Sequence, residues 1–284
     1  MVFHVVTVHW QSDAWIDPQR RFLDRNLPGG TRYYAALHGV PQERFGDFDY
    51  AEDLPGTHPE KLNALAGAVS ESAGPDDVLL FVDGDAFPIV PIDESILDEA
   101  PLVAVRRDEN LGDPQPHPCF CVTTVGLWSE IEGDWTRGHE WVNAAGDSVT
   151  DVGGNLLARL ESRGVAWRPL LRSNTQNPHP LWFAVYGGIA YHHGAGFRER
   201  IGRVDGLAHD LNPRVAASRS HPGGGPDRGS RRAGAAIPAR PRQAREAPRA
   251  RRSAARGARR RDLRRALRRR RLLAEVRGVS RGSR

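Results

Sequence analysis

Apolar residues along the first two thirds of the chain follow two periodicities, those of buried strands and of amphipathic helices. The run 2–10 (VFHVVTVHW) is rich in β-branched and aromatic residues and predicts a first strand, and 31–40 (TRYYAALHGV) predicts a second. Between Pro59 and Gly74, apolar residues recur at helical spacing and predict a helix. The unbroken apolar run 78–82 (VLLFV) then predicts a central strand covered on both faces.

The same patterns continue to about residue 200. Strands are expected at 101–107, 118–128 and 165–174, and a helix is expected at 153–164, where a glycine ends it. A glycine-rich strand-and-turn segment, 182–198, closes this part of the chain. Strands that alternate with helices predict an α/β domain with a mainly parallel, Rossmann-like central sheet.

Charge divides the chain into two parts of different composition. Residues 211–284 contain 24 arginines and four acidic residues, a net charge of +20, and consist otherwise mainly of Ala, Gly, Pro and Ser. Residues 1–210 carry a net charge of −15 and nearly all the aromatic and β-branched residues. Only 1–210 can bury enough apolar surface to offset its chain entropy. We therefore expect one folded domain, 1–210, followed by a disordered basic tail, 211–284.

The basic tail has three interpretations. It is a disordered arm that attracts phosphates or anionic lipid, a short basic helix at 259–276, or an out-of-frame translation of a GC-rich gene. The third accounts for the abrupt change in composition near Asn212 and for the presence of a single lysine in the whole chain.

No apolar run approaches the length of about 18 residues that a membrane span needs. The first residues also lack the basic start and uninterrupted apolar stretch of a signal peptide. Two cysteines are too few for a disulfide framework. We expect a cytoplasmic protein without a transmembrane segment.

Asp83-Gly84-Asp85 directly follows the apolar run 78–82. In an open parallel sheet, ligands collect at the carboxyl ends of the strands, and glycine allows a close approach of the backbone. Two carboxylates in this position suit a hard divalent cation that also binds phosphate oxygens. A tight surface turn is the alternative, because Asp-Gly is common in turns.

His117, Cys119 and Cys121 alternate onto one face of a predicted strand. A closed zinc site needs four ligands, usually with cysteines two to four residues apart, and no second cluster is evident in the sequence. We therefore expect buried structural cysteines here.

The sequence resembles the GT-A type glycosyltransferases, the nucleotide-diphospho-sugar transferases, over about residues 2–205. The resemblance rests on Asp83-Gly84-Asp85 as an Asp-x-Asp motif and on KLNAL at 61–65. It also uses TDVGGNLLARLESRG at 150–164 and YHHGAGFR at 191–198. Each motif is short, so their order and spacing carry most of the weight.

The resemblance implies a metal site. Asp85 would bind Mn²⁺ or Mg²⁺, which neutralises the donor diphosphate, and Asp83 would face the ribose or a metal-bound water. His192 or His193 would supply the last protein ligand, and an imidazole would favour Mn²⁺. A surface histidine pair beside a glycine turn is the alternative.

Asp151 is the candidate general base that takes the proton of an acceptor hydroxyl. In family-2-like inverting members this role belongs to the Asp of a Glu-Asp pair that precedes a Leu-x-x-Arg helix. This chain has Thr150-Asp151 instead, and Arg159 lies further along than in that pattern. Alternatively, Asp151 caps the following helix.

Four further residues are assigned to the nucleotide by position. Thr7 and His9 end the first strand, where such a fold receives the base. Lys61 and Asn63 lie on the helix that would face the nucleotide, although a solvent-facing lysine is the simpler outcome. Four tryptophans, if not part of the core, could form an acceptor platform: Trp128, Trp135, Trp141 and Trp182.

The resemblance as a whole predicts a metal-dependent glycosyltransferase that uses a nucleotide-sugar donor. The acceptor, whether glycan, lipid-linked or small molecule, is not indicated. The net charge of −15 argues against nucleic acid as its substrate. The alternatives are a non-catalytic nucleotide-sugar-binding protein on the same scaffold, or a protein that binds nucleic acid through its tail.

Overall fold

In a computed structural model, the described residues are 1–174 and 183–194. The expected boundary after residue 210, the tail and Trp182 lie outside them. The strands are β1 Phe3–Trp10, β2 Arg32–His38, β3 Tyr50–Glu52, β4 Val78–Asp83, β5 Ala86–Pro88, β6 Leu102–Val105, β7 His117–Thr124, β8 Trp141–Val142, β9 Ser148–Val149, β10 Arg168–Leu170, β11 Ala184–Tyr186 and β12 Ala190–His192. The α-helices are α1 Ile16–Asn26, α2 His58–Ser70, α3 Val125–Glu130 and α4 Gly154–Ser162; short 3₁₀ helices span Gln42–Asp47 and Glu94–Leu97.

The central sheet has seven strands in the order β10-β6-β7-β4-β1-β2-β3. Every neighbouring pair is parallel except those of β7, which runs antiparallel to both β4 and β6. The mainly parallel, Rossmann-like α/β fold expected from the sequence is confirmed. Because β4 and β6 share an antiparallel neighbour, their carboxyl ends lie at the same edge of the sheet as the start of β7.

Helix α2 forms where a local start signal meets an apolar face. Thr57 and Glu60 make a capping box, in which the Glu60 carboxylate accepts from the Thr57 backbone N–H at 2.9 Å. The predicted apolar positions, from Leu62 to Val69, are buried. The helix ends at Ser70, a turn before the predicted glycine. The helix packs on β1 and β2, and the Nε2 of His58 at its start lies 3.2 Å from the Asp83 carboxylate at the end of β4.

Strand β4 is the centre of the core. Its residues from Val78 to Val82 have no solvent exposure. On one face, the Phe81 ring contacts Trp128 and Trp135 at centroid distances of 4.7 and 5.1 Å. On the other face, Leu80 and Val82 belong to the main apolar cluster. Trp128 and Trp135 are therefore core residues, and the alternative of an acceptor platform is wrong for this pair.

Two smaller sheets extend the fold. Strand β12 pairs antiparallel with both β5 and β11, which forms a three-stranded sheet immediately after the Asp-Gly-Asp turn. Strands β8 and β9 form a separate antiparallel pair.

The predicted strand 118–128 is wrong in its second half, because β7 ends at Thr124 and α3 begins there. The Thr124 hydroxyl accepts from the backbone N–H of Leu127 at 3.1 Å and so caps this short helix. A run of apolar residues hid the change, since a buried short helix and a buried strand have the same local composition. Helix α1, with polar residues at most positions, had no clear sequence signal.

Candidate functional site

Asp83 is the last residue of β4, and Asp85 follows it after one glycine. The turn delivers the chain from the central sheet into β5 of the small sheet. Strand β12 pairs with β5 so that His192 lies opposite Ala86, and the His193 backbone N–H donates to the Asp85 carbonyl at 3.1 Å. Two segments more than 100 residues apart therefore meet at the carboxyl edge of the sheet.

Asp83, Asp85 and His192 form a compact group at this edge. The His192 Nε2 atom lies 3.5 Å from a carboxylate oxygen of each aspartate. Asp85 and His192 are buried, at 4% and 8% exposure, while Asp83 is partly open to solvent. One donor atom from each residue lies within 4.8 Å of the other two. Within the described residues, it is the one group of three acidic, histidine or cysteine side chains that lie close enough together to share a metal ion.

The pKa values of this group are set by burial and by the attraction between its carboxylates and the neighbouring imidazoles. Burial opposes the charge on Asp83, but the neighbouring imidazoles of His58 and His192 hold the pKa of this carboxyl well below its usual value. Burial also opposes a charge on His192. Its contacts with buried Cys119 and Asp85 nevertheless raise the pKa of the imidazole. We assign the main effect to Asp85, because burial raises the pKa of the Cys119 thiol and keeps it neutral.

The donor set fits a divalent cation. Around an octahedral ion with bonds of about 2.1 Å, adjacent donors lie about 3 Å apart and opposite donors about 4.2 Å apart. The separations within the group are close to this range. Two carboxylates favour Mg²⁺ or Mn²⁺, and the imidazole favours a transition metal such as Mn²⁺. These three residues are suited to hold such an ion.

Of the two predicted histidines, His192 is the one whose ring reaches the carboxylates. His193 directly follows β12, and its side chain points away from that of His192, as neighbouring residues of extended chain do. It packs against Trp15 at a centroid distance of 4.7 Å and against Phe183 at 4.6 Å, and its Nδ1 lies 3.1 Å from the Tyr191 hydroxyl. His193 thus belongs to an aromatic group beside the Asp85 backbone.

Two more histidines, His58 and His117, border the group and were not predicted as site residues. His58 opens α2, and its Nε2 lies 3.2 Å from Asp83 Oδ1. His117 opens β7, and its ring centroid lies 6.0 Å from that of His192. What brings these two histidines to the site is their position in the fold: His117 begins the strand that pairs with β4, and His58 begins the helix that packs on β1. Neither pairing is visible in the sequence.

Thr7 and His9 are linked to the Asp-Gly-Asp turn by hydrogen bonds through the side chain of Gln19. The Gln19 Oε1 atom lies 3.3 Å from the Thr7 hydroxyl and 3.1 Å from His9 Nε2. Its Nε2 donates to the carbonyl oxygens of Asp83 and Ala86. All three polar side chains are buried. Sequence reasoning missed Gln19, since a buried glutamine in a polar helix has no distinctive pattern.

Lys61 and Asn63 have different surroundings on α2. Lys61 is only 5% exposed, and burial lowers the pKa of its ammonium, partly offset by Asp53. It does not extend freely into solvent as the simpler alternative proposed. The Asn63 Nδ2 donates to Asp134 at 2.6 Å, and its Oδ1 accepts from the Trp135 backbone N–H at 3.0 Å. These bonds join α2 to the segment before β8.

Asp151 lies in a second polar region. Its carboxylate accepts from Arg137 at 3.0 Å and from the adjacent Val152 N–H at 2.8 Å. The alternative that Asp151 caps α4 is wrong, because the capping residue is Gly153, which has a φ of 89°. No hydrogen bond or ion pair between described residues joins Asp151 to the Asp83 group.

Asp151 borders a cavity of about 290 Å³, which lies between β8, β9 and the segment before β7. The other lining residues include Asp113, Arg137 and Trp141. Burial raises the pKa of Asp113, and the charge of Asp151 adds to this effect. The indole Nε1 of Trp141 is shielded from solvent and has no hydrogen-bond partner among the described residues. This cavity therefore offers carboxylates, a cation and an aromatic ring to a polar ligand.

Cys119 and Cys121 are buried and free, as expected for structural cysteines. Among residues 1–174 and 183–194, no helix combines the length and hydropathy that a membrane crossing requires.

No family model matches the chain, and no curated protein matches it. Among solved structures, two of the glycosyltransferase GlyE from Streptococcus pneumoniae TIGR4 are similar. They have 15% and 14% identity and TM-scores of 0.33 and 0.38, and cover 46% and 77% of this chain. The chain spans 36% and 64% of the GlyE chains, less than two thirds of either.

A third similar structure is that of a protein from Bacillus anthracis, described as a glucose-1-phosphate thymidylyltransferase, in complex with sucrose. It has 12% identity and a TM-score of 0.34, and the match covers 79% of this chain and 98% of that one. Similarities of this size decide neither fold nor activity, so the fold assignment rests on the observed sheet.

Proposed function

We propose that this protein is a divalent-cation-dependent glycosyltransferase that moves a sugar from a nucleotide-diphosphate donor to an acceptor hydroxyl. The observation that supports it is the meeting of Asp83, Asp85 and His192 at the carboxyl edge of the central sheet. Ligands of open α/β sheets bind at this edge. Two carboxylates and one imidazole would hold Mn²⁺ or Mg²⁺ while leaving coordination positions for phosphate oxygens.

The bound ion would neutralise the charge that develops on the departing nucleoside diphosphate. The remaining roles, support of the turn and acceptance of the acceptor proton, would belong to side chains of the protein. The new bond joins the acceptor oxygen to the anomeric carbon, and the bond from that carbon to the diphosphate oxygen breaks. Thr7 and His9 would support the turn through Gln19.

Asp151 is the proposed base that accepts the hydroxyl proton. Arg137, 3.0 Å from its Oδ1, would hold the carboxylate in place at the edge of the cavity. The cavity beside it, with the Trp141 ring and Asp113, is the proposed acceptor site, because aromatic faces and carboxylates both bind sugars.

The test is glycosyl transfer or donor hydrolysis with a panel of nucleotide sugars, with and without Mn²⁺. Wild type should release nucleoside diphosphate only with the ion, and Asp85→Asn should lose this activity. Asp76→Asn is the matched control, because Asp76 is exposed near the opposite end of β4. If Asp85→Asn releases nucleotide as fast as wild type, or if wild type releases none from any donor, the proposal is wrong.

A further inference from the structure

Two consecutive arginines follow β6 at the sheet edge that carries Asp83. Arg106 is paired, since its Nε lies 2.7 Å from the Asp108 carboxylate. Arg107 differs from its neighbour. Its Nε is shielded from solvent and has no hydrogen-bond partner, and no carboxylate of the described residues lies within ion-pair distance of its guanidinium. Within the part of the chain that the structure describes, no hydrogen bond or ion pair is therefore made by this guanidinium.

The acidic groups nearest to Arg107 are engaged by other residues. Glu109 accepts from the Tyr186 hydroxyl at 2.5 Å, and Asp113 accepts from Asn110 at 2.6 Å. Burial opposes the charge on Arg107, but the field of these neighbours keeps its pKa high. The side chain is therefore a fixed cation whose planar donors remain available to a ligand.

Arg107 lies between the two polar regions of the domain. On one side, Arg107 follows two residues after Val105, which pairs with His117 in the sheet, and the His117 ring lies 6.0 Å from that of His192. On the other side, Arg107 attracts Asp113, which lines the cavity beside Asp151. A group bound at Arg107 would therefore lie between the metal-binding residues and the cavity.

His117 adds a second donor. Its Nδ1 accepts from the Cys119 backbone N–H at 3.1 Å, so in the neutral ring the proton resides on Nε2. Half-buried at the start of β7, this ring presents an N–H rather than a lone pair at Nε2.

We propose that Arg107 and the Nε2–H of His117 bind an oxyanion of the substrate, a phosphate or a carboxylate, between the Asp83–Asp85–His192 group and the cavity. A guanidinium binds such groups through two parallel hydrogen bonds, and an imidazole N–H supplies a third. The inference rests on the proposed function for the identity of the substrate, but the presence of the anion site is independent of it. The oxyanion belongs either to the donor diphosphate or to an acidic sugar.

The experiment is calorimetric titration of the full chain with inorganic pyrophosphate and with phosphate, at physiological ionic strength and without metal. Arg107→Gln should weaken the tightest saturable site at least tenfold, as expected for the loss of a charge-assisted pair. Arg107→Lys keeps the charge and should weaken it less. Arg106→Gln removes the same charge from the adjacent position, so it controls for attraction by the arginine-rich segment 211–284 and should change affinity less than about twofold.

Two results would overturn the inference: no saturable anion binding by wild type, or equal losses in Arg107→Gln and Arg106→Gln. Melting temperatures verify that each variant folds. Metal-dependent nucleotide release by wild type and Asp85→Asn is measured separately, so the proposed function can fail while the anion site stands, or the reverse.

To identify the source of the oxyanion, the affinities of wild type and Arg107→Gln are measured for three ligands with Mn²⁺ present: UDP, UDP-glucose and UDP-glucuronate. If Arg107→Gln weakens all three alike, the site holds the diphosphate. If it weakens only UDP-glucuronate, the site holds an acidic group of the sugar. If it weakens none of them, the site is not part of the substrate site, and the proposal is wrong.

Discussion

Gln19 donates a hydrogen bond from its Nε2 to the backbone carbonyl of Asp83 at 2.7 Å, across 64 residues of sequence. A second bond from the same nitrogen reaches Ala86 at 2.9 Å. The two bonds hold the first residue of the Asp-Gly-Asp turn and the residue that follows it, so a side chain of α1 fixes the backbone that carries both carboxylates. The turn is thus held by the core rather than by its own residues.

Replacing Gln19 with alanine should therefore affect stability and metal binding together. We expect Gln19→Ala to lower the free energy of unfolding by about 1–3 kcal/mol, because it leaves buried acceptors without their donor. Mn²⁺ affinity should also fall, since the carboxylates lose their support. Urea unfolding and Mn²⁺ titration measure the two effects. Gln42→Ala, at an exposed position, is the control; equal effects in both variants would refute the role of Gln19.

Mn²⁺ should stabilise the folded protein through Asp83, Asp85 and His192. At an ion concentration of 100 times the dissociation constant, we expect a gain of about 2.7 kcal/mol in unfolding free energy. In Asp85→Asn this gain should largely disappear, because the buried carboxylate is lost. Thermal unfolding with and without Mn²⁺ measures the gain. An unchanged gain in Asp85→Asn would mean that the ion binds elsewhere, for instance to acidic surface residues.

Acid should destabilise the protein through His9. Burial lowers the pKa of His9 to about 4, whereas the unfolded chain binds this proton near pH 6.5. The unfolded state therefore gains a proton first as the pH falls from 6.5 to 4, and up to about 3 kcal/mol of stability is lost in this window. His9→Gln should flatten this part of the pH profile.

His38→Gln is the comparison for His9, since His38 is only partly buried and is paired with Asp53. Its profile should keep the acid-induced loss between pH 6.5 and 4. If His9→Gln keeps the same loss as His38→Gln, another group causes the acid sensitivity. Urea unfolding at half-unit pH steps provides the data.

Gly153 should tolerate no side chain. It has a left-handed φ of 89°, and a Cβ there would lie 2.1 Å from the Pro116 carbonyl oxygen. Gly153→Ala combines backbone strain with a collision, so we expect a loss of more than about 2 kcal/mol. Gly146 has a similar φ of 82° but open space around it, so Gly146→Ala measures the strain alone, about 1 kcal/mol. Similar losses for the two variants would contradict the predicted collision.

Asn63 should act through structure rather than through the nucleotide. Its side chain bonds to Asp134 and to the Trp135 backbone, so Asn63→Ala should lower the unfolding free energy by about 1–2 kcal/mol. Binding of nucleoside diphosphates with Mn²⁺ should stay within about twofold of wild type. Calorimetric titration checks this, and a tenfold loss of affinity without a loss of stability would restore the direct role predicted from the sequence.

Much of the fold could be read from local patterns. The runs that became β1, β2 and β4, and the amphipathic face of α2, were predicted because each pattern reflects burial within one element. The change from β7 to α3 and the polar helix α1 were not, because the capping bond of Thr124 and the burial of Gln19 depend on tertiary neighbours.

The sequence by itself determined the α/β class and the delivery of Asp83 and Asp85 to the end of a buried strand, because an unbroken apolar run and the turn after it are local features. The tertiary structure decided which histidine meets them. It brings His192, His58 and His117 from three separate elements to that strand end, and leaves the Nε of Arg107 there without an acceptor among the described residues. Such proximity arises from strand order and register, which depend on long-range packing and are not written in any single segment.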